Sequence, residues 1–286
     1  WISLNRPKRV IFVDFVGYNL EIAKRLFEKK VSMKGGGPVE LYFYVSPQIW
    51  AWKAHRRFNM ARWLDALGVI FPFEVDYYKD TKLPVEFVGH PFANEKFENS
   101  LSFDPNGPIV LLPGSRKAIV RQHLPILWRA YREYAKEHLE AKVIGIYANE
   151  QMRQEMIGIT DGQLPLTPSG APLKASAVLC TAGTISLTVA LAKIPAAILY
   201  KTDALTYAFG KSVYKLPYLG MPNLLLKRPL MEEFIQDNAT PRQLAAQLER
   251  LKNDPVQIML ARQGAEELQE LLSHPTKYTV AEWVSQ

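Results

Sequence analysis

The chain has 286 residues, of which 48% are hydrophobic and 22% charged, with 35 Lys and Arg against 28 Asp and Glu, so the net charge is +7. That length suits two domains of about 100–150 residues, and the balance of apolar and charged residues excludes an intrinsically disordered chain. No run of about 18 apolar residues is present, which excludes a membrane-spanning helix, and the single cysteine excludes an internal disulfide and any Cys-based zinc site. The positive charge favours anionic partners, whether nucleic acid, anionic lipid or phosphorylated ligands.

Short apolar runs alternate with helical patterns along the chain. The opening WISLNRPKRVIFVDFV has no signal-peptide regions and starts at Trp1 rather than Met. Strands are expected at 10–16, 39–46, 67–71, 85–89, 108–114, 141–148, 176–182 and 195–201. Their apolar residues run continuously rather than alternating, as in strands covered on both faces. Helices are expected at 19–29, 54–67, 123–139 and 185–192, and again in the C-terminal part behind a Thr240-Pro241 cap. Strand–helix alternation implies an α/β fold with parallel sheets. The polar segment ENSLSFDPNGP at 98–108 separates two strand series and sets a domain boundary. Cys180 lies in an apolar strand and reads as a packed core thiol, and a single cysteine fits a reducing, cytoplasmic compartment.

In open α/β sheets, ligands bind beyond the carboxyl ends of the strands. In LLPGSRKAIV at 111–120, Gly114 allows close backbone approach, Ser115 offers a hydroxyl and Arg116 a phosphate-binding guanidinium. The alternative is an ordinary strand-to-helix turn. In TAGTISL, Gly183 and Thr184 open a helix whose N–H groups and dipole suit a diphosphate, although neither a Walker loop nor GxGxxG is present. In GMPN at 220–223, Asn223 can bond a ligand or its own backbone.

The segment YVSPQIWAWKAHRRFNMARW at 44–63 interleaves Trp50, Trp52 and Trp63 with Lys53, His55, Arg56, Arg57 and Arg62. It fits an interfacial membrane contact, a nucleic-acid surface or a core helix with a basic face. His90, in VGHP, is either functional or a hydrogen-bonded structural residue. Asp14 ends a strand on the ligand side, as a general base or as a cap for the next helix. The five His residues show no metal-ligand spacing, and no RNA or DNA module pattern is present.

In order, YVSPQIWAWK, FPFE, VEFVGHPFA, LLPGSR with HLP, GTISL, YK, PNLL and QDNATP resemble the lipid-A-disaccharide synthase family over nearly the whole chain. The resemblance implies a GT-B glycosyltransferase with two Rossmann-like domains facing a cleft. Residues 1–103 would form the acceptor-side domain, 104–265 the UDP-sugar-binding domain, and 266–286 a helical tail returning to the first domain or to a partner. It implies transfer of 2,3-diacylglucosamine from its UDP derivative to 2,3-diacylglucosamine 1-phosphate, with inversion. No cofactor or metal is implied, and the enzyme would work as a peripheral protein on the cytoplasmic face of the Gram-negative inner membrane.

On this resemblance, Gly114, Ser115, Arg116, Gly183, Thr184, Thr188 and Asn223 would serve the donor, with Arg116 and Asp14 catalytic. Trp50, Trp52, Lys53, Arg56, Arg57 and His90 would meet the acceptor and the membrane. A homodimer is suggested and a nucleic-acid partner is not. The chain departs from the family pattern at Gly17, Ile119 and Thr188, where acidic residues are usual, at Val16, where Pro is, and at Asn94, where Asp is. A strand and a G-E-x-S-G-D loop expected ahead of Trp1 are not in this sequence. Two alternatives therefore stay open, a non-catalytic or weakly active descendant that binds UDP-sugar or lipid, and another GT-B transferase or epimerase.

Overall fold

The computed structural model describes residues 1–50, 53–93, 97–203 and 217–286. The chain divides into two units. Trp1–Phe97 with Glu270–Gln286 make the first, and Glu98–Gln269 the second.

Unit 1 is built on four parallel strands in the order β1 (Arg9–Val13), β2 (Glu40–Tyr44), β3 (Ala66–Val69), β4 (Val85–Phe87). On one face, Phe12, Leu41 and Phe43 pack against Leu20, Ala23 and Leu26 of helix α2 (Val16–Glu28) and Met60 of α3 (Arg56–Trp63), a short N-terminal helix α1 (Ile2–Asn5) having preceded β1. The apolar residues of α2 recur at a helical spacing of three, so one stripe meets the sheet. The opposite face carries a smaller core of Tyr42, Tyr44, Ala66 and Val88. It is covered by the C-terminal helix Val280–Ser285, whose Trp283 is 2% exposed with its ring 5.2 Å from that of Tyr42. Arg9 ties this helix to the sheet by donating to the Val284 carbonyl, pairing with Glu40 at 2.5 Å and stacking 3.9 Å over Tyr42.

Unit 2 is built on a sheet of six parallel strands, with a separate two-stranded pair. After β5 (Leu101–Phe103) come β6 (Ile109–Leu112), β7 (Val143–Tyr147), β8 (Leu166–Pro168), β9 (Leu173–Ala175), β10 (Ala177–Thr181), β11 (Ala196–Tyr200) and β12 (Glu232–Ile235). The large sheet runs β12-β11-β10-β6-β7-β8, and β5 pairs separately with β9. Strands β6 and β10 are buried at every position, as continuous apolar runs require. Cys180 is fully buried in β10, and burial pushes its thiol up to about 12, so it is an inert core group.

The connecting helices are α4 (Lys117–Tyr134), α5 (Glu150–Thr160), α6 (Thr184–Leu191), α7 (Met221–Leu226), α8 (Pro241–Asn253) and α9 (Pro255–Leu272), and the C-terminal helix is α10. Residues of α4 and α8 share one core with the sheet, including Leu124, Leu127, Leu179, Leu244 and Leu248. Thr240 caps α8 by accepting from Gln243 N, with Pro241 at the first helical position.

Every expected strand is present, with ends shifted by up to three residues. The helix expected at 54–67 stops at Trp63, because Ala66–Val69 is the buried strand β3. The polar segment 98–108 is not a bare connector, since it holds β5. The short elements β8, β9, β12, α5 and α7 carry too little periodicity to stand out from sequence. Because Trp283 plugs the second face of the unit 1 sheet, Trp283→Ala is expected to cost about 3–5 kcal/mol. Denaturant unfolding followed by circular dichroism would register this as an earlier transition.

Candidate functional site

The strand order of unit 2 locates its ligand edge. From β6 the chain moves outward through β7 and β8, then returns to β10 on the other side of β6 and moves outward again through β11 and β12. The order therefore reverses between β6 and β10, where doubly wound sheets leave a crevice at the carboxyl ends. Leu112 pairs with Cys180, so the loops that follow, Pro113–Arg116 and Ala182–Thr184, emerge side by side.

Both loops depend on glycine. Gly114 has φ +119° and Gly183 φ +126°, values that L side chains rarely adopt. A Cβ on Gly114 would also meet Ile119 Cγ2 at 2.9 Å, whereas nothing lies within 4 Å of one on Gly183, so the space over that turn is open. Each loop delivers a helix start with no side-chain cap and no acidic residue in the first turn, α4 after Arg116 and α6 after Gly183. The first N–H groups of both helices have no intrahelical acceptor, and their dipoles add positive potential. Ser115, Arg116 and Thr184 are exposed, and Arg116 has no ion-pair partner among the described residues. Thr188, half-buried one turn further along α6, uses its carbonyl to accept from Asn99 at 2.8 Å.

Asn223 departs from its expected role. It is fully buried and its amide is saturated. Nδ2 donates to the Met231 carbonyl at 2.7 Å and to Glu233 at 2.8 Å, while Oδ1 accepts from the backbones of Leu230 and Met231. No donor or acceptor remains for a ligand, so Asn223 positions the loop.

Three further residues hold this rim. Glu233 accepts from the Leu219 and Gly220 N–H groups and so takes the N-terminus of α7 itself. Gln236 clamps Thr202 in both directions, accepting from its N–H at 2.8 Å and donating to its carbonyl at 3.0 Å. His123, fully buried on α4, accepts from Lys201 N–H at 3.1 Å, and burial holds its pKa below the usual value. These fix the ends of β11 and β12 and one face of α4.

The carboxyl edge of the unit 1 sheet is conformationally strained. Asp14 and Phe15 are both left-handed, at φ 47° and 42°, and so is the β-branched Val45 at the end of β2. Such strain costs of order 1–3 kcal/mol per residue and concentrates at functional sites. Asp14 is exposed, and the helix cap read as its alternative does not form, because the N-cap is Phe15 with no side-chain bond. Asn19 instead donates to the Asp14 carbonyl at 2.8 Å. A Cβ on the exposed Gly17 would meet nothing within 4 Å.

Several acceptor-side expectations are corrected here. Trp50 is packed inward, donating from Nε1 to Glu74 at 3.2 Å with its ring edge-on to Phe71 and Phe73. His90 is buried against Phe71 and Phe92, accepts from Phe92 N–H at 3.0 Å, and is pushed down by burial to about 4, so it is a neutral structural residue. Arg57 turns to Asp80, 2.6 Å away, and to the Phe58 ring. Lys53, just ahead of α3, is exposed, and Arg56, its first residue, is half-buried. Trp52 and Asn94 lie outside the described residues.

Among the described residues no group of three His, Cys, Asp or Glu side chains could hold a metal ion, and no helix is long and apolar enough to cross a membrane. Residues 2–284 match the family model described as Lipid-A-disaccharide synthetase. The chain belongs to the lipid-A-disaccharide synthase family. It is 32% identical over 264 residues to the lipid-A-disaccharide synthase of Syntrophotalea carbinolica, covering 87% of this chain and 65% of that one. The chain therefore spans just under two thirds of that relative's length. In fold it is similar to the UDP-GlcNAc 2-epimerase of Neisseria meningitidis bound to UDP-GlcNAc, with TM-score 0.57 and 10% identity over 94% of this chain and 77% of that one. It is also similar to the spinosyn forosaminyltransferase SpnP, with TM-score 0.52 and 13% identity over 99% and 76%. These place the family's α/β architecture in the GT-B class.

Sequence reasoning passed over Glu74, although FPFE was among the shared stretches. Its carboxylate is 1% exposed and accepts from Ser46 Oγ, Trp50 Nε1 and the Ile70 and Phe71 N–H groups, joining the loops after β2 and β3. Burial outweighs these four bonds and pushes its pKa up to about 7. A raised carboxyl pKa favours the protonated folded state. The contribution is therefore complete below the unfolded value of 4.5 and is lost as pH rises through about 7. The span corresponds to about 3 kcal/mol. Glu74→Gln should lower stability overall yet remove this slope. Guanidinium unfolding at pH 5 and 7.5 would show the wild type losing stability across the interval and the variant staying level.

Proposed function

We propose that the chain carries out the family's glycosyl transfer, moving 2,3-diacylglucosamine from its UDP derivative to 2,3-diacylglucosamine 1-phosphate. The reading rests on one observation above the others. Two uncapped helix N-termini and Arg116, which has no ion-pair partner among the described residues, converge at the switch point of a doubly wound sheet. Arg116, with the N–H groups after Gly114, Ser115, Gly183 and Thr184, would hold the diphosphate and stabilise the charge that develops as UDP leaves. Asp14 would take the proton from the acceptor hydroxyl as that oxygen attacks the sugar C1 from the face opposite UDP. The C1–O bond to UDP breaks, a new glycosidic bond forms, and configuration inverts. Unit 1 takes the acceptor side and unit 2 the donor side, with the protein working as a dimer against the cytoplasmic surface of the inner membrane.

Calorimetric titration with UDP tests the donor half. UDP is expected to bind, and Arg116→Ala to weaken it tenfold or more, as loss of a charge-assisted bond does. A folded wild-type chain that takes no UDP would sink the reading.

A second reading is a descendant that binds UDP-sugar or lipid without efficient turnover. Its support is that Gly17, in the first turn of α2, and Thr188, one turn along α6, stand where a carboxylate is missing, and neither helix has an acid in its first turn. Gly17→Asp with Thr188→Glu adds one at each position, and open space surrounds the first. A rise in turnover with the diacyl substrates in the double variant favours this second reading, and unchanged or lower turnover favours the first.

A further inference from the structure

Unit 1 holds a hollow of about 260 Å³ between α2 and α3, lined by Gly17 and Glu21 on one side and Lys53, His55, Arg56 and Asn59 on the other. It lies just below the roughly 300 Å³ at which small-molecule sites usually begin. Its walls are mixed, with Val16, Leu20 and Trp63 among the polar side chains.

Three features give it one electrical sense. The first is the concentration of cationic residues, Lys53 and Arg56 with His55 between them. The second is a conflict with helix electrostatics. The start of α3 reads His55-Arg56-Arg57, with no acidic residue in its first turn and no side-chain cap. Basic residues at a helix N-terminus meet the positive end of the dipole and are unfavourable unless an anion is present. The third is that α2 also begins at this hollow, through Val16 and Gly17, and is likewise uncapped and without an acid in its first turn. Two helix starts thus reinforce the side chains. The carboxylate in the wall, Glu21, is held by Arg25 at 2.8 Å, one turn along α2. Arg57 takes no part, being paired with Asp80.

The rim is apolar. Phe15 and Tyr18 flank Val16 and Gly17, two of the four α2 residues that line the hollow, are 70% and 62% exposed, and lie with ring centroids 5.9 Å apart. A cationic hollow beside an exposed aromatic ridge suits an amphiphile with its anionic head inside and its chain across the rings.

We propose that this hollow is a binding subsite for a phosphomonoester, taken by Lys53 and Arg56 together with the first N–H groups of α2 and α3. On the function proposed above, which this inference deepens, the group is the acceptor's 1-phosphate. It would stand two residues along the chain from the strained Asp14, so one local structure would present both the acceptor's anchor and the base.

Trp63 also lines the hollow and gives a fluorescence signal. The wild-type chain is titrated with N-acetylglucosamine 1-phosphate, and in parallel with phosphatidylcholine vesicles containing phosphatidic acid. Lys53→Gln and Arg56→Gln are compared with Lys24→Gln, which removes one charge from α2 outside the hollow, where Lys24 pairs with Glu28. Each of the first two variants is expected to weaken binding about tenfold or more, and Lys24→Gln to change it less than twofold. Effects with the soluble sugar phosphate identify the headgroup as sufficient. Effects on the vesicles alone assign the site to a lipid-borne phosphomonoester. Binding that falls equally in all three variants is diffuse charge attraction and overturns the proposal, as does wild-type indifference to both ligands or equal binding by Lys53→Gln, Arg56→Gln and wild type. UDP titration of the same samples separates the two ideas. Retained UDP binding with no phosphomonoester site leaves the transferase reading standing, and the reverse result removes that reading but keeps the subsite.

Discussion

An all-parallel sheet delivers every strand to the same edge, and much of this molecule follows from that constraint. Each strand of the two large sheets runs parallel to its neighbours. Loops that leave their carboxyl ends collect along one rim, and each helix that follows presents its N-terminus there. Positive potential at the rim is thus a product of topology before any charged side chain is placed. The sequence then adds or withholds acids. At α2, α3, α4 and α6 it withholds them from the first turn, and no side chain caps any of the four.

A rim of open helix ends is useful only if it is held still. In unit 2 that task falls to polar side chains bonded to backbone. Asn223 uses its whole amide, Gln236 clamps Thr202, His123 receives Lys201 N–H, and Glu233 neutralises the one helix start on this rim that it reaches. Unit 1 uses Glu74 in the same way between two loops. Each bond contributes only about 0.5–1.5 kcal/mol net, but leaving any of these buried groups unpaired costs more. The arrangement therefore resists partial loss and holds the loops in fixed positions.

The α/β class and the eight principal strands were legible because continuous runs of Val, Ile and Leu bounded by Gly and Pro have few other readings. Gly114 and Gly183 were legible too, since each closes such a run. Individual side-chain roles were not. Asn223, Trp50, His90 and Arg57 are residue types that serve a ligand or the fold equally well, and only their partners decide. The partners of Asn223 lie 7 to 10 residues away, Asp80 lies 23 from Arg57 and Glu74 lies 24 from Trp50, beyond any local pattern. Glu74 escaped notice for the converse reason. An acid three residues after Phe71 looks like a helix-start residue on the surface, and nothing local reveals that both its oxygens are enclosed.

The same logic explains why the unit 2 rim and the α2–α3 hollow resemble one another. An anion at a helix start gains from the dipole, from free N–H groups and from nearby cations, and these terms reinforce because they point the same way. At the unit 2 rim, two helix ends and Arg116 supply about two positive charges, enough to offset the two charges of a diphosphate held there on the proposed function. In the hollow, Lys53 and Arg56 tilt the balance further, at a position where helix electrostatics alone would have selected Asp or Glu. A sequence that repeatedly places bases, or nothing, where folding prefers acids has set part of its stability against binding. The strained Asp14–Phe15 pair between β1 and α2 belongs to the same pattern. Local conflicts of this kind persist when another constraint maintains them. Here they cluster where strands end and helices begin, which is where an anionic ligand would be received.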